Sequence, residues 1–133
     1  MKKQIIIGLV VIAIVCLFIA GIIFPCTTFV INKDNQIVFG RNFDWMAGNG
    51  MIMINQRNVA KAAFIFPPEK PARWVSKYGS VTFNQVGREM PYGGMNETGL
   101  VVENMYLRTS IYPPVDERPA VSEVQWIQYM LDT

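Results

Sequence analysis

No histidine occurs among the 133 residues. That absence removes Ser-His-Asp and Cys-His catalysis from the chain, together with the usual His-containing zinc sites. Cysteine is scarce as well: Cys16 and Cys26 are the only two, and Cys16 lies inside an apolar run, so no disulfide framework is implied. Neither sign of charge is in clear excess. Of the 12 Lys+Arg, Lys2 and Lys3 precede the apolar run, which leaves ten basic against ten acidic side chains in residues 26–133. Without a basic stripe or cluster, nothing points to nucleic acid. The glycines of Tyr92-Gly93-Gly94-Met95-Asn96-Glu97-Thr98-Gly99 are not followed by the helix a phosphate loop requires, so no nucleotide or other cofactor is expected.

What the chain has in quantity is a long apolar run, Ile5 to Phe24, behind Lys2 and Lys3. It reads as a secretory leader or a membrane anchor occupying residues 1–25. At about twenty residues it is longer than the 7 to 15 of a signal h-region and long enough to span a bilayer. Ile23 and Pro25 stand where a signal peptidase prefers small residues, so processing is expected as a first cut near Ala20 or Gly21 with trimming, or as self-cleavage. The product would be secreted or periplasmic, and membrane-anchored through residues 5–24 if the leader is kept. Removal of residues 1–25 makes Cys26 the first residue, placing a thiol and a free α-amine on one residue. An α-amine has an ordinary pKa of about 7.7 to 8.0, so it can accept a proton from the thiol near neutral pH. In a chain without histidine, that is a nucleophile carrying its own base.

Residues 26–133 are enough for one modest core, and their dominant period is two. Residues 27–32 and 36–39 flank the polar turn Lys33-Asp34-Asn35 as a hairpin. Further strands are expected at 51–55, at 60–66 closed by Pro67-Pro68, at two short stretches of 74–85 around Gly79, and at 100–107. The segment 92–99 is expected to be a tight turn. After Tyr112-Pro113-Pro114 the period changes: Val121, Val124, Trp126, Ile127, Met130 and Leu131 mark one helical face starting near Pro119 or Ser122. The expected class is α+β, and a sheet covered by one terminal helix reads as the front portion of a larger domain.

The motifs, taken together, resemble the linear-amide C–N hydrolases, the choloylglycine hydrolase and penicillin V acylase group of N-terminal-nucleophile hydrolases. They are Cys26-Thr27, Gly40-Arg41-Asn42-Phe43-Asp44-Trp45, Trp74-Val75-Ser76-Lys77-Tyr78-Gly79-Ser80, Gly94-Met95-Asn96-Glu97-Thr98-Gly99-Leu100 and Gln125-Trp126-Ile127-Gln128-Tyr129. The resemblance covers nearly all of residues 26–133. It implies a four-layer αββα sandwich of which this chain holds the N-terminal part, and hydrolysis of an N-acyl amide through a thioester on Cys26. It implies Arg41 beside the thiol, Asp44 holding the α-amine, and Tyr106 contributing a backbone N–H to the oxyanion hole at a position that varies with specificity. As bare residues, Arg41 and Asp44 read as a solvated strand-end ion pair and Tyr106 as a core tyrosine. Trp45, Met46, Phe64 and Phe66 could line an acyl pocket, though such residues on strands more often fill a core. The implied partner is a small-molecule N-acyl amide of the penicillin V, acyl-homoserine lactone or conjugated bile acid type, and homo-oligomerisation of the complete protein stays open. A further asparagine and arginine of the family's active site have no counterpart in this chain, so the chain alone is expected to be inactive. The competing reading is a non-catalytic, membrane-anchored β-rich domain.

Overall fold

The computed structural model describes residues 2–20, 26–45, 47–107 and 109–133. Helix and antiparallel sheet are both present, giving the expected α+β class, and the chain divides into two compact units, Met1–Ala47 and Gly48–Thr133.

The first unit holds helix α1, Lys2–Ala20, and a hairpin of β1, Thr27–Lys33, and β2, Gln36–Asn42. Helix α1 is apolar on every side, with Ile5, Leu9 and Ile12 all exposed. Among the described residues no helix is long and apolar enough to cross a membrane. The end of the apolar run, residues 21–25, and the junction expected to be processed lie outside the described residues. The hairpin is in register from Thr27↔Asn42 to Lys33↔Gln36. Its connection is a two-residue turn in which Asp34 and Asn35 have φ of 51° and 62°. Both central residues of a type I′ turn need positive φ, which Asn and Asp tolerate best, and that turn matches the twist of the flanking strands.

In the second unit, β3 (Met51–Asn55), β6 (Ser80–Asn84), β7 (Pro91–Asn96) and β8 (Val101–Glu103) form an antiparallel sheet in the order β3-β6-β7-β8. A two-stranded sheet pairs β4 (Ala60–Ala62) with β5 (Arg73–Val75). Helix α2, Trp126–Asp132, closes the unit.

Four expectations need correction. Residues 92–96 are strand, not turn, and only the tip at Glu97 to Gly99 turns, with Gly99 at φ 88°. Gly94 belongs in the strand because its neighbour is too close for a side chain: a Cβ there would stand 2.5 Å from the Val81 carbonyl oxygen. The strand expected at 60–66 stops at Ala62, and the one at 100–107 is only Val101–Glu103. Finally, α2 begins at Trp126 rather than near Pro119 or Ser122; a single turn closed by the Gln125 N–H donating to the Ser122 carbonyl at 2.9 Å precedes it, and the Gln125 side chain bonds to the end of β4. Its Oε1 accepts from the Phe64 N–H and its Nε2 donates to the Ala62 carbonyl at 3.4 Å. A side-chain amide thus continues the ladder where β4 ends.

The apolar core is small. Ala63, Ala72 and Trp74 are buried, with Ile65, Val121 and Tyr129 packed against them, and Trp74 meets Tyr129 edge-to-face at 5.2 Å. The main sheet has the opposite polarity from the one expected of a half-buried sheet. Asn55, Ser80, Thr82, Asn84 and Asn96 are buried, while Ile52, Ile54, Val81, Phe83 and Met95 are exposed. The buried polar face is hydrogen-bonded, as burial demands: Asn55 Nδ2 donates to Thr82 Oγ1 at 3.0 Å, Thr82 Oγ1 to Asn84 Oδ1 at 2.7 Å, and Asn96 Nδ2 to the Leu131 carbonyl at 3.0 Å. Asp132 anchors the end of α2. Its Oδ2 accepts from Lys61 Nζ at 2.8 Å and Trp74 Nε1 at 2.7 Å, its Oδ1 accepts from Gln128 Nε2 at 2.8 Å, and its carbonyl accepts from the Lys77 N–H at 2.7 Å.

Candidate active site

Cys26 sits immediately before β1, and Arg41 and Asp44 lie at the end of β2 and just past it. Because directly paired strand residues share a face, Arg41 shares one with its partner Thr28. Cys26, two residues before Thr28, continues the same alternation, so Cys26 and Arg41 form a diagonal pair on one face. Such pairs are about 7 to 8 Å apart at Cα, within reach of a side chain as long as arginine. The β-hairpin register therefore brings together residues 15 positions apart, and a slip of one residue would place them on opposite faces.

The half-buried Cys26 thiol is free and its Sγ donates to the Asp44 carbonyl oxygen at 3.8 Å. The contact is thus with the backbone of Asp44, while the carboxylate accepts from Asn42 Nδ2 at 2.7 Å. The Arg41 guanidinium lies over the Phe43 ring, 4.4 Å from its centroid, and Phe43 stacks on Trp45 with centroids 6.2 Å apart. Such a cation–π contact fixes a long side chain that would otherwise sample many rotamers. Gly40 completes the local packing, because the Phe29 ring occupies the space where its Cβ would be. Asn42 and Phe43 are the functional neighbours that sequence reasoning did not single out. Both lie inside the quoted Gly40 to Trp45 motif, and the register that pairs Asn42 with Thr27 and Arg41 with Thr28 was the available signal.

Tyr106 belongs to the second unit. It follows β8, is 75% exposed, and lines a cavity of about 520 Å³ together with Tyr92, Tyr112 and Trp126. It is therefore not a core tyrosine in this structure. Of the residues considered for an acyl pocket, Phe64 and Phe66 are exposed and meet edge-to-face at 5.0 Å, Trp45 is half exposed, and Met46 lies outside the described residues. Among the described residues, no group of three His, Cys, Asp or Glu side chains is placed to hold a metal ion.

Residues 26–133 match the family of linear amide C–N hydrolases, choloylglycine hydrolase family, and the match begins at the cysteine just described. The chain belongs to this hydrolase family. A penicillin V acylase of Pectobacterium atrosepticum is 38% identical to it over 66 residues, which are 44% of this chain and 18% of that protein. The chain thus spans well under two thirds of the relative it matches.

Proposed function

We propose that this chain carries the nucleophile of an amidase that cleaves a linear C–N bond in an N-acyl substrate. The observation that carries the reading is the placement of a half-buried, unpaired Cys26 at the start of the family match, on one hairpin face with Arg41 and against Asp44. Cleavage before Cys26 frees its α-amine, which takes the thiol proton. The thiolate attacks the amide carbonyl, the tetrahedral oxyanion collapses, and the C–N bond breaks as the amine leaves with that proton. Water then attacks the thioester, releasing the carboxylic acid and restoring the thiol. Arg41 favours the thiolate by its positive charge and Asp44 holds the protonated amine. A backbone N–H donor to the oxyanion is worth about 3 to 4 kcal/mol in the transition state.

The substrate class includes penicillin V, acyl-homoserine lactones and conjugated bile acids, and the penicillin V acylase relative together with Tyr106 favours the first. The fold of the whole enzyme is a four-layer αββα sandwich. The exposed Ile52, Ile54 and Phe83 face is the surface a second sheet would cover, since two sheets pack about 10 Å apart through apolar faces. The 133-residue chain alone is inactive. The enzyme is exported, and its α1 segment is removed.

The test uses the full-length gene product. N-terminal sequencing should return Cys26, and Cys26→Ala should abolish hydrolysis of a chromogenic N-acyl amide. A variant that keeps any residue before Cys26 should be nearly as inactive with its thiol intact, and wild-type activity in that variant would mean another base takes the proton. The apolar surface of α1 favours one second reading, a membrane-anchored domain without activity. An uncut N-terminus together with an inert thiol would establish it.

A further inference from the structure

The carboxylate of Asp44 has a partner to which the amidase reading gives no task. Asn42, the last residue of β2, donates from Nδ2 to Asp44 Oδ2 at 2.7 Å. In an extended chain, residues two apart project to the same side, so Asn42 and Asp44 meet while Arg41 between them belongs to the other face. Asn42 is exposed and Asp44 half-buried. The Asn42 side chain therefore fills no core, and this bond decides its place.

The backbone on either side of the pair is anchored. Asn42 is in register with Thr27 across the hairpin, Phe43 stacks on Trp45, and Cys26 Sγ donates to the Asp44 carbonyl at 3.8 Å. What is left to fix is the direction of the Asp44 carboxylate, which its χ angles would otherwise vary. The hydrogen bond to Oδ2 selects one direction and leaves Oδ1 open to a second donor. Thr27↔Asn42 is the last pair of the register, so Cys26 stands one step further on, opposite Phe43 and at the same strand end as Asp44. An α-amine freed there is a backbone nitrogen and belongs to neither face of the hairpin.

We propose that Asn42 is the positioning residue for Asp44: it fixes one carboxylate oxygen so that the other receives the α-ammonium of the processed Cys26. This role rests on the amidase reading and adds to it a residue that touches neither the substrate nor the thiol. An amide suits the task because it is a neutral donor. It directs the carboxylate without cancelling its charge, as a lysine or arginine would. A carboxylate held beside the amine favours the charged ammonium and raises its pKa, whereas one free to rotate does so only part of the time. When the thiol proton moves to the amine, the positioned oxygen already faces it, and no side-chain rearrangement is needed on the way to the transition state.

The test uses the processed full-length enzyme. Asn42→Ala is expected to lower kcat about tenfold or more with KM little changed, because Asn42 acts on Asp44 and not on the bound substrate. Asn42→Gln keeps the amide donor on a longer arm and should restore most of the loss. The second readout is the α-amine itself, followed by carbon-13 NMR at the labelled Cys26 α-carbon after the thiol is capped with methyl methanethiosulfonate. Arg41, the other charged side chain of this strand end, is common to all these variants and cancels in the comparison. The amine midpoint should fall in Asn42→Ala and return in Asn42→Gln, a pattern that a loss confined to packing would not give. Activity in Cys26→Ala would overturn the amidase reading and this role with it. With Cys26→Ala inactive, wild-type kcat in Asn42→Ala, or a lowered kcat with an unmoved amine midpoint, would overturn the role of Asn42 alone.

Discussion

At the scale of single residues, the environment of Cys26 is set by backbone geometry as much as by charge. Its thiol points at the Asp44 carbonyl, and Arg41 is held over Phe43, so an Arg41→Ala change removes a packing contact on that ring. Two glycines show how differently neighbours respond to one added carbon. At Gly94 a Cβ would meet the backbone oxygen of Val81, whereas at Gly40 it would meet only the outer ring atoms of Phe29. A ring can rotate aside, but a paired strand cannot. Gly94→Ala is therefore expected to cost about 1 to 3 kcal/mol and Gly40→Ala clearly less, measured as shifts in urea unfolding midpoint. Glu97 offers a test by pH. The side-chain hydrogen bond from Arg57, followed by that from the Gly79 N–H at 2.8 Å, holds its carboxyl below the ordinary glutamate range. Because the folded value is the lower one, the contribution to stability is present above the unfolded pKa and is lost as pH falls through the folded pKa. A carbon-13 NMR titration should place the Glu97 midpoint below that of an unperturbed glutamate, and Arg57→Gln should move it back up.

At the scale of elements, the end of α2 is where most of the second unit is tied together. The Lys61–Asp132 ion pair is buried at both ends, 3% and 0% exposed, and joins β4 to α2. Trp74 on β5 donates to the same carboxylate. Removing one partner strands the other charge without water, so Asp132→Ala is expected to destabilise by about 3 to 5 kcal/mol. Replacing both partners at once, as Lys61→Met with Asp132→Leu, should cost much less than Asp132→Ala, because no buried charge is left behind. Denaturant unfolding of the two variants decides this: equal losses would mean that the pair acts through something other than burial. Helix α2 buries Ile127 and Leu131 beside this anchor.

For the whole molecule, the exposed apolar surface is the dominant physical fact. Ile54 is 74% and Phe83 is 56% exposed on the main sheet, and Ile37 is 70% exposed on the hairpin. Apolar strand faces of this kind invite association with whatever offers a matching surface. The isolated 133-residue chain is expected to bind a hydrophobic dye and to self-associate in analytical ultracentrifugation. Ile52→Thr, Ile54→Thr and Phe83→Thr together should reduce both effects while leaving the Asp132 anchor intact. A monomeric wild-type chain that binds no dye would contradict the proposed second sheet over this face. Membership of the amide hydrolase family places the chain among hydrolases, whereas the substrate must come from assays on the full-length protein.

The sequence by itself determined the β-hairpin around Lys33-Asp34-Asn35, because turn chemistry and two-residue periodicity are local, while the structure narrowed that turn to Asp34-Asn35 and set the register. It also determined the motif set that identifies the family. It misjudged residues 92–96, since Gly93-Gly94 has the composition of a turn and only the neighbouring strand shows why side chains are excluded there. The tertiary structure alone decided which face of the main sheet is covered. Alternation fixes that Thr82 and Phe83 point opposite ways, but burial of the Thr82 side depends on partners distant in sequence: Asn55 bonds Thr82, and Ser80 and Asn96 on the same face bond α2. The tertiary structure likewise decided that Lys61 and Asp132, 71 positions apart, share a dry site, and that Tyr106 lines a cavity instead of a core. Long-range contacts such as these are selected by the packing of whole elements, and no local pattern of residues encodes which distant partner will supply the missing charge.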